Sequence, residues 1–528
     1  MPCNGLLYGT PHPCFCYAGV KLGGFLALSP QDVTLPSAED VPRRVRGPAY
    51  ETLLQTEPRA FQAGPDDWTM YRHDPKRSSS TSSHVDPQVR PAWTMPLGGK
   101  LTQPLVVARR LFVARVDAAQ VCCLDAATGR PIWDYCAGGR VDSSPTYYRG
   151  RLIFGSADGW VYCLRASDGV LAWKFRAAPE DRRVMAFGQV ESAWPVHGSV
   201  LVMNDTVYLV AGRSSFLDGG IFLYGLDPAT GETRYQIRLD GPHPDTTLLD
   251  ENAYAMEGAK TDLLVTDGTL IYLFHNAFNT RLEKLSTPIE GEPGVKNLGV
   301  RAFGEHLFSN AGFLDDSWFS RSHWMVADRW PAFNFAHQSS RAGELIVFDQ
   351  THTYAVKCFV RRNLLSPLFF PATDGYFLVA DRNDTQPVLV SGDGQSGPEF
   401  LHWSPQEGEL QTCWNLGVGF ARAQPPQWIS NVPVRIRAMV RTAGGLVAAG
   451  PLDVCNPEDP TAAFEGRKGA ALLAFNPNDG SKLFECELES PPVFDGLAAA
   501  GGRLFLATES GEVRCFAGKQ QVPEAAPR

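Results

Sequence analysis

The sequence predicts an all-β fold, and within that class a β-propeller of eight four-stranded antiparallel blades over about residues 90–519. Three observations carry this prediction. A turn phrase recurs with fixed internal spacing, short apolar strands follow turns at regular intervals, and Gly129 and Gly169 mark a repeat of roughly 40 residues. A repeat of that length is typical of a blade built from four short strands.

The turn phrase consists of an apolar strand end, a polar residue, two or three turn residues, a glycine, and a large aromatic residue four positions later. Short polar side chains can hydrogen-bond such a turn, and glycine can adopt the positive φ that closes it. Each copy therefore predicts a hairpin whose second strand begins with a large ring available for packing. The copies run from Leu124 to Gly129 and Trp133, Leu164 to Gly169 and Trp173, Leu226 to Gly231 and Tyr235, and Phe475 to Gly480 and Phe484.

A second phrase, a turn followed by alternating apolar residues, predicts the strand that enters each hairpin. A proline several residues earlier marks the innermost strand of several blades. The eight copies of the second phrase start near Arg110, Gly150, Asp205, Gly268, Gly343, Gly375, Gly444 and Gly501.

The two ends of this repeat predict how the ring closes. The last blade lacks an outer strand, whereas Pro91–Leu97 reads as an outer strand with no blade before it. Pairing the two would close the ring without a free sheet edge. Residues 520–528 are expected to be a disordered tail.

The region before the repeat divides into two parts. Residues 1–35 read as a blade-like hairpin that resembles the closing hairpin of an upstream propeller, and on this interpretation the chain is expected to be the C-terminal part of a longer protein. Residues 36–89 read as a linker and lead-in with room for one short helix. The first residues contain Pro, Gly and His where the apolar region of a signal peptide would lie.

Composition excludes several classes of protein. The 528 residues carry a formal net charge of −9, so an electrostatic nucleic-acid binder is not expected. The sequence contains no apolar run long enough to span a membrane. Cys123, Cys163 and Cys515 occupy a small buried position of the strand phrase.

The segment Leu124–Trp133, LDAATGRPIW, resembles the repeat of the PQQ-like, or quinoprotein-type, eight-bladed β-propellers. Other segments, such as ESAWPVHGSVLV and GRSSFLDGG, are similar to BamB-related propellers and to the C-terminal propeller of larger bacterial multi-domain proteins. The resemblance implies an extracytoplasmic location, in the periplasm or cell envelope. It is specific for fold but not for function, because the superfamily includes dehydrogenases, sensors and scaffolds.

Polar residues on the innermost strands are the first candidate ligand contacts, since those strands line the central channel of a propeller. The alternative is that they hydrogen-bond neighbouring blades and ordered water. His197 reads as a channel or packing histidine. The repeat alignment places here Gln103, Asp142, Ser143, Ser144, Glu191, Ser192, Glu257, Lys260, Arg435, Arg437 and Asp495.

The irregular region 304–343 provides a second set of candidates, because flat aromatic faces beside carboxylates and arginine suit a carbohydrate or another polar ring ligand. His323 as a base with Asp316 as its partner, and Glu191 as a third catalytic candidate, would give hydrolase or lyase chemistry. The alternative is that these aromatics pack between blades. The candidates are His306, Asp315, Asp316, Trp318, Arg321, His323 and Trp324.

A quinone-dependent dehydrogenase is the third interpretation that the resemblance implies. Such enzymes hold PQQ with Ca²⁺ through oxygen ligands, for which Glu191, Asn252 and Asp315 or Asp316 are in a suitable order. They often stack the quinone on a vicinal disulfide, but Cys122 and Cys123 lie within a strand, where their side chains should point to opposite faces.

These interpretations rank as follows. A binding or scaffold module for a protein or polysaccharide partner comes first, a carbohydrate-active enzyme second, and a PQQ-dependent dehydrogenase third. Neither a cofactor nor a metal is predicted under the first interpretation, and nucleic acid is not expected as a partner.

Overall fold

The computed structural model describes residues 1–9, 26–29, 42–55, 62–215, 217–240, 263–274, 276–285, 300–309, 324–330, 340–357, 376–385, 387–391, 418–422, 425–463 and 465–518. Over these ranges the protein is all-β with a single short helix, α1 (Tyr50–Gln55), which matches the predicted fold class. None of the described helical structure has the length and hydropathy of a membrane span.

The strands before the repeat are β1 (Pro2–Cys3), β2 (Leu6–Gly9), β3 (Leu26–Leu28), β4 (Arg44–Arg46) and β5 (Val89–Pro96). The first three form an antiparallel sheet in chain order. The other two each complete a sheet formed later in the chain.

Sheets then follow one another along the chain. The first sheet contains β6 (Leu105–Val107), β7 (Arg110–Arg115), β8 (Gln120–Asp125) and β9 (Pro131–Cys136). The second contains β10 (Thr146–Tyr148), β11 (Arg151–Gly155), β12 (Trp160–Arg165) and β13 (Leu171–Arg176), with β4 added at its outer edge. A separate hairpin consists of β14 (Arg183–Ala186) and β15 (Gln189–Ser192). The third sheet contains β16 (Leu201–Met203), β17 (Thr206–Ala211), β18 (Ile221–Leu226) and β19 (Thr233–Leu239).

The fourth sheet contains β20 (Leu264–Thr266), β21 (Ile271–Leu273) and β22 (Asn276–Phe278), and the fifth contains β23 (Val300–Ser309), β24 (Trp324–Trp330) and β25 (Ala342–Gly343). The sixth contains β26 (Leu345–Phe348), β27 (His352–Lys357) and β28 (Tyr376–Arg382). A hairpin of β29 (Pro387–Ser391) and β30 (Val418–Arg422) precedes its outer strand, β31 (Trp428–Val432).

The seventh sheet contains β32 (Ala438–Thr442), β33 (Gly445–Pro451), β34 (Ala470–Phe475) and β35 (Lys482–Leu488). The eighth contains β36 (Pro492–Ala500), β37 (Arg503–Thr508) and β38 (Glu512–Gly518). The fourth and fifth sheets have three strands among the described residues, so a ring of eight four-stranded blades stays a prediction.

The predicted pairing between the two ends of the repeat is present. Strand β5 is the fourth strand of the eighth sheet, antiparallel to β38, with Trp93 opposite Cys515. The outer strand of the last sheet therefore comes from the N-terminal part of the chain.

The glycine of the turn phrase has the positive φ that the sequence predicts, and it also receives a tryptophan from the preceding sheet. The φ of Gly129 is 73°, and Asp125 Oδ1 accepts hydrogen bonds from the backbone of that turn. The ring of Trp133 in the first sheet covers Gly169 in the second, and its Nε1 donates to the Ala166 carbonyl at 3.2 Å. The same relation joins Trp93 to Gly129, Trp173 to Gly231 and Trp428 to Gly480.

The core lies between consecutive sheets, because the central strands are buried on both faces. Cys122 belongs to a core cluster that the first sheet shares with the eighth and that continues into the seventh, whereas the next residue, Cys123, belongs to the cluster shared with the second sheet. Each sheet is therefore held by its neighbours on both sides, at the close packing usual for protein interiors.

Residues 62–88, which we call the inner segment, run among the first strands of the sheets. Backbone hydrogen bonds join Trp68 to Val106 in the first sheet, and Tyr147 in the second sheet donates to Thr69 O at 2.7 Å. Further backbone bonds of the segment reach Thr266 in the fourth sheet, Phe348 in the sixth and Arg441 in the seventh. The inner segment therefore ties together sheets that are far apart in sequence.

Candidate functional site

Arg72 of the inner segment engages two residues that the sequence singles out. Its guanidinium forms a buried ion pair with Asp495 at 2.8 Å and lies over the ring of Trp324, with Cζ 4.4 Å from the ring centroid. It also donates to the backbone carbonyls of Arg77 and Ile346. Asp495 and Trp324 thus contact the chain's own N-terminal region.

Gln103 also binds the inner segment and the eighth sheet. Its Oε1 accepts hydrogen bonds from Trp68 Nε1 at 3.3 Å and from Arg72 N at 2.7 Å. Its Nε2 donates to the carbonyls of Asp495 and Leu497 at 2.7 and 3.0 Å. All the polar atoms of this side chain are used to join the first sheet, the inner segment and the eighth sheet.

The structure brings Asp142 and Glu191 together around an arginine that the repeat alignment does not single out. Arg140 Nε lies 2.5 Å from Asp142 Oδ1, and Arg140 Nη2 lies 2.9 Å from Glu191 Oε2. All three side chains are at most 4% exposed. We call these three residues the Arg140 cluster.

The Arg140 cluster has unfilled hydrogen-bonding capacity. Within the described residues, Arg140 Nη1, Asp142 Oδ2 and Glu191 Oε1 have no hydrogen-bond partner. Burial raises the pKa of Glu191, and the charges of Arg140 and His197 oppose that effect. One donor and two acceptors at a buried site can hold ordered water or a small polar ligand.

Two of the three candidate serines beside this cluster connect neighbouring sheets. Ser143 Oγ donates to Gly198 O at 3.1 Å, and Ser144 Oγ donates to Gln103 O at 2.8 Å. These two contacts agree with the interpretation of inner-strand polar residues as links between blades. Ser192 Oγ makes a local contact instead, since it accepts from Trp194 N at 3.1 Å.

Arg437 and Arg435 lie before the first strand of the seventh sheet. Arg437 pairs with Glu509, and Arg435 Nε lies 3.7 Å from Asp453 Oδ1. Burial raises the pKa of Glu509, and Arg437 opposes the effect. Both arginines therefore contact carboxylates of the seventh and eighth sheets. Neither of them is among the contacts of the Arg140 cluster.

His306 is a packed residue. Its ring stacks on Tyr272 with 3.7 Å between centroids, and its Nδ1 and Nε2 lie 2.9 Å and 3.0 Å from the carbonyl oxygens of Gly304 and Phe274. Burial lowers the pKa of His306, although the two carbonyls oppose that effect.

Several of the predicted site residues lie outside the described residues. From the irregular region 304–343 these are Asp315, Asp316, Trp318, Arg321 and His323, from the inner strands Glu257 and Lys260, and from the quinone interpretation Asn252.

The cysteine pair does not fit a vicinal disulfide beneath a quinone. Cys122 and Cys123 are both buried free thiols on β8 and, as predicted, they face different sheets. Burial raises the pKa of Cys122 to about 11 and that of Cys123 to about 12. Across the described ranges, no group of three or more His, Cys, Asp or Glu side chains is arranged to hold a metal ion.

A second charged cluster lies next to the hairpin of β14 and β15. Arg182 Nη2 and Arg213 Nη2 contact the two carboxylate oxygens of Asp218 at 2.9 and 2.6 Å. Trp194 Nε1 donates to Asp218 O at 3.0 Å, and Arg182 lies 4.6 Å above the centroid of the Trp194 ring. We call these four residues the Asp218 cluster. The only signal for it in the sequence is the segment GRSSFLDGG, which contains Arg213 and Asp218.

Comparison with known proteins agrees with this architecture. The family model described as outer membrane protein assembly factor BamB matches residues 79–273. Over those residues the chain resembles the BamB-like, PQQ-type β-propeller proteins. Among solved structures, the chain resembles in its fold the quinohemoprotein alcohol dehydrogenase of Pseudomonas putida HK5, with a TM-score of 0.50 and 14% identity over 93% of this chain and 84% of that one. BamB from Moraxella catarrhalis gives a TM-score of 0.41 at 12% identity, covering 82% and 98%.

The curated proteins that the chain matches are dehydrogenase subunits of quinone-type alcohol dehydrogenases. The subunit of Acetobacter aceti is 25% identical over 223 residues, which is 37% of this chain and 29% of the relative. That of Komagataeibacter europaeus is 26% identical over 168 residues, or 29% and 22%. The chain therefore spans less than a third of the length of these relatives.

Proposed function

We propose that this protein is a binding propeller of eight blades, closed by β5, whose partner is another protein outside the cytoplasm. The match to the assembly-factor family supports a protein partner and a cell-envelope location. A polysaccharide partner has no comparable support.

The observation that carries the proposal is an exposed apolar pair on the hairpin of β14 and β15. Met185 and Val190 are directly opposite each other in its register, and they are 58% and 59% exposed. The hairpin is not part of any of the numbered sheets, so its side chains can be contacted without opening a blade. Exposed apolar side chains that lie next to each other are typical of protein contact sites.

Photo-crosslinking in the native host tests this proposal. A photoreactive residue placed at Met185 or Val190 should give a covalent adduct of one defined mass. The same residue at Leu483, which is 39% exposed on the outer strand of the seventh sheet, is the matched control. Adducts of equal yield at all three positions, or at none, would contradict a partner site on the hairpin.

A PQQ-dependent dehydrogenase is the second candidate, because the curated relatives have that activity. The described cysteines do not fit the stacking disulfide, so we derive no reaction step through the quinone. Titration of the purified protein with PQQ and Ca²⁺, followed by an alcohol-dependent dye-reduction assay, decides the question. Stoichiometric PQQ binding with alcohol turnover would overturn the binding-module proposal.

A carbohydrate-active enzyme is the third proposal, and it depends on Asp316 and His323. Both residues lie outside the described ranges, so the proposal rests on the sequence alone. Asp316→Ala and His323→Ala should abolish turnover in a glycan panel while leaving the folding transition intact. If the wild-type protein turns over none of the glycans in the panel, the carbohydrate-active enzyme proposal is wrong.

A further inference from the structure

The Asp218 cluster contains more positive than negative charge. Arg182 and Arg213 are guanidinium groups, which stay protonated at any physiological pH, and they share the single carboxylate of Asp218. The nearest carboxylate in sequence, Asp181, is paired with Arg183 at 3.2 Å on the surface. Counted over the described residues, the cluster therefore carries one more positive than negative charge.

The two guanidiniums also have unused donors. Within the described part of the chain, Arg182 Nε, Arg213 Nε and Arg213 Nη1 have no hydrogen-bond acceptor. Donors of a charged group that lack acceptors in a buried place are unfavourable, and native structures usually supply a partner for them. Water can accept these bonds, but only an anion also cancels the excess charge.

The cluster is held in place, and its Arg182 side faces solvent. Arg213 and Asp218 are 12% and 17% exposed, whereas Arg182 is 37% exposed, so a small ligand meets the Arg182 guanidinium first. The three unused donor atoms are themselves buried, so a ligand reaches them only by moving inward from Arg182. The Trp194 ring supports the Arg182 guanidinium from below, and its Nε1 fixes the backbone at Asp218. Side chains held in this way lose little freedom when they bind.

We propose that the Asp218 cluster binds a carboxylate group of an acidic ligand, such as a chain terminus, an acidic side chain or a small organic acid. A carboxylate matches the planar guanidinium geometry and carries the single negative charge that neutralises the cluster. Phosphate offers similar oxygens but carries nearly two charges at neutral pH, which leaves an excess of negative charge. This inference is independent of the proposed function, since it concerns different side chains from those of the Met185–Val190 pair.

Calorimetric titration at low ionic strength tests it with probes that differ only in the carboxylate. Acetyl-triglycine with a free C-terminus should bind the full chain saturably, whereas its C-terminal amide should not. Arg213→Gln or Arg182→Gln should weaken binding by about tenfold, the value of one charged hydrogen bond. Asp218→Asn removes the competing carboxylate and should tighten binding.

Arg183→Gln is the matched control, because Arg183 follows Arg182 in the chain but pairs with Asp181 outside the cluster. The affinity of this variant for acetyl-triglycine should equal that of the wild-type protein within the error of the titration. If Arg213→Gln does not fold, Arg182→Gln provides the same test from a more exposed position. Equal binding of the acid and the amide, or an equal loss in Arg183→Gln, would overturn the proposal. Tighter binding of inorganic phosphate than of acetyl-triglycine would overturn the assignment to carboxylates.

Discussion

The indole of Trp93 lies against Gly129, although the two residues belong to the eighth and the first sheets. Trp93 Nε1 donates to the Ala126 carbonyl at 3.2 Å, and a Cβ added to Gly129 would stand 2.5 Å from Trp93 Cε3. One side-chain contact thus joins the two ends of the repeat.

Gly129→Ala should destabilise the protein by about 1–3 kcal/mol more than Gly99→Ala, because its added methyl group overlaps the Trp93 ring. Both glycines have a φ of 73°, but a Cβ on Gly99 would meet nothing within 4 Å. Because backbone strain is the same in both variants, the difference between their losses of unfolding free energy measures the cost of displacing Trp93. Urea unfolding measures both free energies, and equal losses would contradict the contact between Trp93 and Gly129.

Arg72→Leu should cost about 3–5 kcal/mol, because it leaves Asp495 buried without its partner. Arg382→Leu breaks an ion pair of the same 2.8 Å length between side chains that are 67% and 66% exposed. That control should leave the free energy of unfolding unchanged, since water screens an exposed pair. A comparable loss in both variants would mean that burial of the Arg72–Asp495 pair does not matter.

His306 should make the protein less stable as the pH falls. Burial lowers its pKa in the folded state, so the unfolded chain binds the proton more readily below its own pKa of about 6.5. The stability that the buried neutral ring contributes is therefore fully present above that pH, and it is lost as the pH falls from there towards the folded-state pKa of His306. In His306→Gln, the part of the pH dependence of the free energy of unfolding that this histidine causes should disappear, as measured by urea unfolding between about pH 7 and pH 5. An unchanged slope would show that the folded ring accepts a proton freely.

Cys122 and Cys123 should stay reduced and unreactive in the folded protein. Their raised pKa values leave almost no thiolate at neutral pH, and thiolate is the reactive form. Iodoacetamide should label the exposed Cys136 and Cys455 first and these two only after unfolding, as read by peptide mass spectrometry. A peptide that contains residues 122–123 and is lighter by two hydrogens would reveal a vicinal disulfide and revive the quinone interpretation.

The sequence predicts the sheets well where each blade repeats the same local chemistry. The turn glycines, the Asp125 turn and the pairing of β5 with β38 all follow from residue types at fixed spacing. The partner of each ring was less predictable, because the repeat shows that Trp133 packs but not that it packs on Gly169 of the following sheet.

The site is less predictable than the fold because its contacts come from residues outside the repeat. Arg72 and Trp68 lie in a stretch without strand periodicity, so the sequence predicts only a lead-in there. The stretch lacks that periodicity because its hydrogen bonds go to several sheets and not to one neighbouring strand. Arg140 is likewise invisible in the repeat alignment, although the alignment does place its partners Asp142 and Glu191 near the centre.

The inner segment also constrains how this chain can reach its native state. Arg72 and its partner Asp495 are 423 positions apart, so their ion pair can form only after the eighth sheet has been synthesised. Contacts of such long sequence separation slow folding, because the entropy of closing the loop is lost before the contact forms. Until β36 is available, the Arg72 guanidinium lacks its buried carboxylate, and the inner segment cannot complete its native contacts.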